Sequence, residues 1–112
     1  MKHLIAIAAL LASFGTQADA LNLVCGNSII TLNANAQNEL ENIAVDNILF
    51  TVLPDVIRKV ENGQMITFFQ AGDTTGGTPV TVTVVMRENG NLNATLYANK
   101  KTIWASPCRW AR

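Results

Sequence analysis

From residue 21 onward, apolar and polar positions alternate in short runs broken by asparagine and glycine. A period of two marks half-buried β-strands, and long stretches of helical period are scarce. Residues 21–25 and 29–32 read as strands separated by a break at Gly26 and Asn27. Residues 43–45 and 48–53 read as extended again. The segment 33–42, rich in asparagine, alanine and glutamine, offers little to bury and reads as a loop or one weak helical turn.

Residues 54–62 carry two opposed signals. Pro54 suits a first helical position and Gly63 a position just past a helix end. Against a helix, Val56, Ile57 and Val60 are β-branched, and Asn62 with Gly63 suits a tight hairpin. The hairpin is the stronger reading. With those two residues as the turn, Val60 faces Met65, Ile57 faces Phe68 and Val56 faces Phe69.

A second hairpin joins 80–88 to 92–98 around Asn89, Gly90 and Asn91. A two-residue turn at Asn89 and Gly90 would put Met86 opposite Asn93 and mix polar with apolar on both faces. Taking all three residues as the loop pairs Met86 with Ala94, Val84 with Leu96 and Val82 with Ala98, which leaves one face apolar. A three-residue loop with a bulge is therefore expected, with Asn91 in the left-handed conformation. Residues 102–105 form a last strand before Pro107 and Cys108. The fold class expected is all-β: an antiparallel meander of about six to eight strands closed into a small barrel or folded into a sandwich.

The first twenty residues follow other rules. Lys2, an apolar run over residues 4–12, and Ala18, Asp19, Ala20 make the three parts of a cleavable secretory signal in order. The run is about half the length that spans a bilayer, so no stable membrane anchor is expected. Valine, not a small residue, precedes Cys25, which argues against lipidation. Residues 1–20 are thus expected to be removed, leaving 21–112 as a single domain outside the cytoplasm. The short, alanine-rich leader points to the periplasm of a Gram-negative bacterium. Cys25 and Cys108, the two cysteines of the chain, bracket nearly all of that domain. In an oxidising compartment they read as one disulfide.

The chain holds eight basic and eight acidic residues. Losing Lys2 and Asp19 with the leader keeps the balance even, so no general pull on nucleic acid follows. The only histidine, His3, falls in the leader. Without imidazole, and with both cysteines in a bridge, the domain lacks the common nucleophiles and the soft metal ligands. Neither a metal nor an organic cofactor is expected, and no catalytic residue is assigned. A carboxylate pair could still serve glycan hydrolysis, but most of the acidic residues sit where turn chemistry explains them.

Two stretches stand out as candidate binding residues. The run 71–79, with Asp73, Thr74 and Thr75 among its glycines, suits a contact loop on a rigid scaffold. Near the end, Tyr97, Lys100, Lys101, Trp104, Arg109 and Trp110 gather both tryptophans, the only tyrosine and most of the positive charge. These residue types dominate protein interfaces and also suit glycan or anion binding. Core packing is the competing reading for Trp104, and packing over the disulfide for Trp110.

One cysteine in the first strand and another near the end of a small exported β domain is a layout similar to that of the periplasmic inhibitors of c-type lysozyme. Their Ser-Gly-x-x-Tyr motif has no counterpart, since proline follows Ser106 and isoleucine follows Ser28. No functional residue is carried across. The expectation is a non-enzymatic binding protein, such as an inhibitor, immunity or accessory factor, whose partner is another exported protein or cell-wall glycan. The alternatives are a small carboxylate-dependent hydrolase and a structural subunit of a surface assembly. Expressed with its own leader in a Gram-negative host, the protein should appear in the periplasm with Leu21 as its first residue and no free thiol. Intact mass before and after alkylation checks both points.

Overall fold

The computed structural model describes residues 19–73, 78–99 and 101–111. The leader expected over residues 1–20 lies, up to residue 18, outside them. The described residues form nine strands in one antiparallel sheet that nearly closes into a barrel. In chain order they are β1 Asp19–Cys25, β2 Ser28–Ala34, β3 Leu40–Val45, β4 Ile48–Phe50, β5 Val52–Glu61, β6 Gln64–Asp73, β7 Val80–Arg87, β8 Leu92–Ala98 and β9 Lys101–Trp110. Each pairs with its chain neighbour, except that β4 and β5 share no ladder, and β9 returns to pair with β1.

An odd number of strands cannot close a ring in which every neighbour is antiparallel. The exception is β4 and β5, which run the same way because both are reached from β1 and β9 through antiparallel steps. Thr51 alone separates them. They are two halves of one bent strand, the first paired to β3 and the second to β6. This explains why the count exceeds the expected six to eight.

Turn chemistry sets the hairpins. Asn62 and Gly63 both have positive φ, 50° and 78°, the conformation of a type I′ turn. That turn puts Val60 opposite Met65, Ile57 opposite Phe68 and Val56 opposite Phe69, as expected from the sequence. At Gly26, φ is +64° and an added Cβ would lie 3.1 Å from the Ser106 hydroxyl, so both backbone and space call for glycine there.

Two expectations need correction. Residues 33–42 are not mainly a loop: Asn33 and Ala34 continue β2, and Leu40 starts β3. Asn33 lies opposite Asn42 and donates to its side-chain oxygen at 2.7 Å, while Ala34 and Leu40 are buried. The low hydrophobicity of the segment hid an outward ladder of amides over an inward apolar row. In the hairpin of β7 and β8 the bulge is present, but Gly90, with φ 97°, takes the left-handed position in place of Asn91. Glycine adopts it without the Cβ clash that asparagine must tolerate. Met86 therefore faces Leu92, Val84 faces Ala94 and Val82 faces Leu96. The register differs from the expected one by two residues, so every side chain keeps its face.

The interior is filled from all sides by Leu23, Ile30, Leu32, Ile43, Phe50, Phe69, Val82, Val84 and their neighbours. Trp104 and Trp110 on β9 also pack against this core. Thr67 is the one buried polar residue among the described ones, and its hydroxyl has no hydrogen-bond partner.

The ring is closed between β1 and β9 by three register pairs, Leu23 with Trp110, Val24 with Arg109 and Cys25 with Cys108. The last pair is the disulfide, with Cα atoms 4.1 Å apart across the ladder. Such a short separation marks a non-hydrogen-bonded pair, so the backbone groups of the flanking residues 107 and 109 point toward β1. Pro107 has no N–H to offer, and the ladder ends there because β1 turns away at Gly26. A formed disulfide fits an oxidising, exported compartment. Opening this bridge frees a loop of 83 residues, which in the chain-entropy model removes about 4 to 5 kcal/mol. Replacing both cysteines by alanine should lower the urea midpoint accordingly while leaving β6 to β8 protected longest in hydrogen exchange.

Candidate functional site

The residues singled out from the sequence separate in space. Tyr97 faces outward from β8, and Lys101 begins β9 opposite Ala98. Asp73 ends β6 opposite Val80, which is itself opposite Ala98. Asp73 and Lys101 therefore stand in one row across four strands, about 15 Å apart. Arg109 is exposed at the far end of β9, about 26 Å from Lys101 by strand rise. Trp104 and Trp110 alternate with these residues and turn inward. The aromatic-basic constellation is thus dispersed: Tyr97 pairs with Thr102, Lys101 pairs with Ala98 in the alternate row, Arg109 lies by itself, and both indoles pack against the core. Thr74, Thr75 and Lys100 lie outside the described residues.

A different surface stands out at the bend between β4 and β5. Ile48, Leu49, Val52 and Leu53 are all exposed there, Leu53 at 84% of its full surface. Leu53 also has φ +48°. A branched side chain in the left-handed region costs about 1 to 2 kcal/mol and is normally avoided. The strain arises where the strand leaves β3 and joins β6, and the β5–β6 register shifts between Val52 and Asp55. Alternation of apolar residues alone could not reveal this, because 48–53 reads as an ordinary strand until its two halves are seen to have different partners.

The main chain beside this patch is protected. Pro54 has no N–H, and the Val56 N–H donates to the Asp55 carboxylate at 2.9 Å. Both features discourage addition of a further strand. What the bend presents is side chains. Behind it, a cleft between residues 35–39 and β5 is lined by Asn35, Asn38, Glu39 and Asp55. Glu39 and Asp55 are both exposed, and no carboxylate among the described residues is buried. This arrangement lends no support to acid-base hydrolysis by a carboxylate pair.

The apolar bend is held in place from the other side by Asp46. Asp46 and Asn47, with φ 51° and 73°, form the tight turn from β3 to β4. The Ile29 N–H donates to the Asp46 carboxylate at 2.9 Å, and the Asp46 N–H returns a bond to the Ile29 carbonyl at 2.9 Å. These bonds tie the turn to β2. The hydrogen bond from the Ile29 backbone, and then that from the Ser28 side chain, hold the Asp46 carboxyl below its ordinary pKa.

The chain matches no known family model, no curated protein and no solved structure.

A carboxyl whose folded-state pKa lies below its unfolded value stabilises the fold fully above the unfolded value and loses that contribution as pH falls through the folded one. Wild type should therefore be more stable than Asp46→Asn near neutral pH, with the gap closing in strong acid. Urea midpoints at about pH 7 and about pH 2 check the sign.

Proposed function

We propose that the protein is a non-enzymatic binding protein of the periplasm, in the manner of an inhibitor, immunity or accessory factor. It acts by docking the side chains at the bend of β4 and β5 onto another exported protein. The observation that carries this reading is Leu53, a large apolar residue almost fully in water on a strained backbone. Local strain of this kind concentrates at functional positions. Leu53 has the exposed apolar residues Ile48, Leu49 and Val52 near it in the chain, and a concentration of exposed large apolar side chains suits an interaction site. Asp46 and Asp55 flank the patch in sequence, which suits a partner with an apolar pocket and a basic rim.

A subunit of a surface assembly is the second reading, since neither β4 nor β5 is paired along its outer edge. Pro54 and the Asp55 cap on Val56 weigh against it, because they block the main-chain pairing by which such subunits join.

Leu53→Gly separates binding from folding. It relieves the left-handed strain but adds freedom to the unfolded chain, two effects of about 1 kcal/mol each that oppose one another. Its melting temperature should stay close to wild type. A partner captured stoichiometrically from periplasmic extract, then purified and titrated, should bind Leu53→Gly at least about tenfold more weakly. Equal binding by the variant, or no stoichiometric partner, would sink the reading.

A further inference from the structure

Tyr97 stands three ladders along the sheet from Val52, about 14 Å by strand spacing, and takes no part in that docking. We propose that the outward face of β6, β7 and β8 binds an uncharged saccharide chain, with the Tyr97 ring as its stacking platform. A shallow groove of about 500 Å³ runs there, lined by Gln70, Thr81, Thr83, Tyr97 and Asn99, with Pro79 at one end. Its size falls within the range of small-molecule sites.

Register builds the groove. Gln70, Thr83 and Thr95 lie side by side in one row, and Gly72, Thr81 and Tyr97 in the next. Gly72 carries no side chain, and Val52 of β5 lies against it, so Val52 bounds the second row beyond Thr81. Tyr97 is 42% exposed, leaving part of its ring uncovered between hydroxyl and amide groups.

Three features favour a saccharide. First, the described residues that line the groove are uncharged, which gives an anion no counter-charge there; Asp55, the register partner of Gln70, lies outside the lining. Second, Tyr97 is the one large aromatic or aliphatic side chain in the groove, so it lacks the cluster of apolar anchors that a protein hot spot needs. A sugar ring needs one flat apolar platform for its C–H face and donors and acceptors around its rim, which hydroxyls and amides supply. Third, among the described residues the side chains of Gln70, Thr81, Thr83 and Asn99 have no hydrogen-bond partner. On the opposite side of the sheet order the equivalent outward groups satisfy one another, Thr31 donating to Asn22 and Asn33 to Asn42, each at 2.7 Å. The polar groups of the groove are left for a ligand, or for water until one arrives.

The test uses the exported protein, labelled with nitrogen-15 and titrated with chitohexaose and, separately, with cellohexaose, two β-linked chains that differ in their acetamido groups. At least one should shift the amides of Gln70, Thr81, Thr83, Tyr97 and Asn99, with a dissociation constant of about 1 mM or tighter. Tyr97→Ala should weaken binding at least about tenfold, Tyr97→Phe should keep it, and Thr83→Val should fall between. Thr83→Val keeps the strand-forming shape of the residue and serves should Tyr97→Ala not fold. Leu53→Gly should bind the sugar as wild type does, which keeps this outcome separate from that of the docking surface. If neither sugar shifts these amides, or if Tyr97→Ala and Thr83→Val both bind as wild type does, the proposal is overturned.

Discussion

Everything in this fold depends on joining β1 to β9. The other ladders link strands that are neighbours in the chain, so few residues separate the members of each pair and closing them costs little entropy. The β1–β9 ladder joins residues more than eighty positions apart and has only three register pairs to do it. Its brevity has local causes: β1 turns off at Gly26, and Pro107 leaves no N–H where the next bond would form. The disulfide lies at that end, next to Pro107, and supplies as a covalent bond what the backbone cannot. For a domain this small, whose core alone gives a thin margin, one staple across the longest loop is the effective place to put it.

Closing the ring there moves the break elsewhere. Because β1 and β9 are antiparallel, the alternation of strand directions must fail once around the barrel, and it fails at Thr51. One strand is shared between two partners, bends, and brings Leu53 into a conformation that glycine would fill more easily. The apolar residues that would line a continuous strand are turned out to water. The exposed patch is thus a direct consequence of how the barrel closes, although nothing about closure alone requires the exposed residues to be leucine and isoleucine. Asp46 anchors the turn before the bend, and Pro54 with Asp55 seals the edge after it. The bend presents side chains on a fixed frame, with little main chain open to pairing.

The wall across from β1 to β3 behaves differently. On β1 to β3 the outward polar side chains bond to each other along the ladder, and the surface is chemically finished. In the groove over β6 to β8 the polar groups are threonine hydroxyls, a glutamine, an asparagine and one tyrosine, none bonded to another of the described residues. Both kinds of surface come from the same alternation of polar and apolar residues. They differ because cross-strand amides pair at 2.7 Å when register sets them opposite, whereas Thr83 opposite Thr95, and Tyr97 opposite Thr81, leave their capacity unused.

By itself the sequence determined the class of fold, the apolar face of the β7–β8 hairpin, the Asn62–Gly63 hairpin to the residue, and the cysteine pair. These follow from local rules: side-chain period, turn stereochemistry, and the scarcity of cysteine. Even where the register after β7 differed by two, the faces held, because a shift of two preserves alternation. Tertiary structure alone decided which candidates meet. Tyr97, Lys101, Arg109 and Trp110 are close in the chain, but a β-strand spreads its residues at about 3.3 Å each and sends neighbours to opposite faces. The tryptophans went inward and the charges parted. Leu53 was unreadable beforehand, since its exposure depends on β3 and β6 claiming different halves of one strand. Gln70 reaches Tyr97 only through two ladders, a proximity that no local pattern encodes.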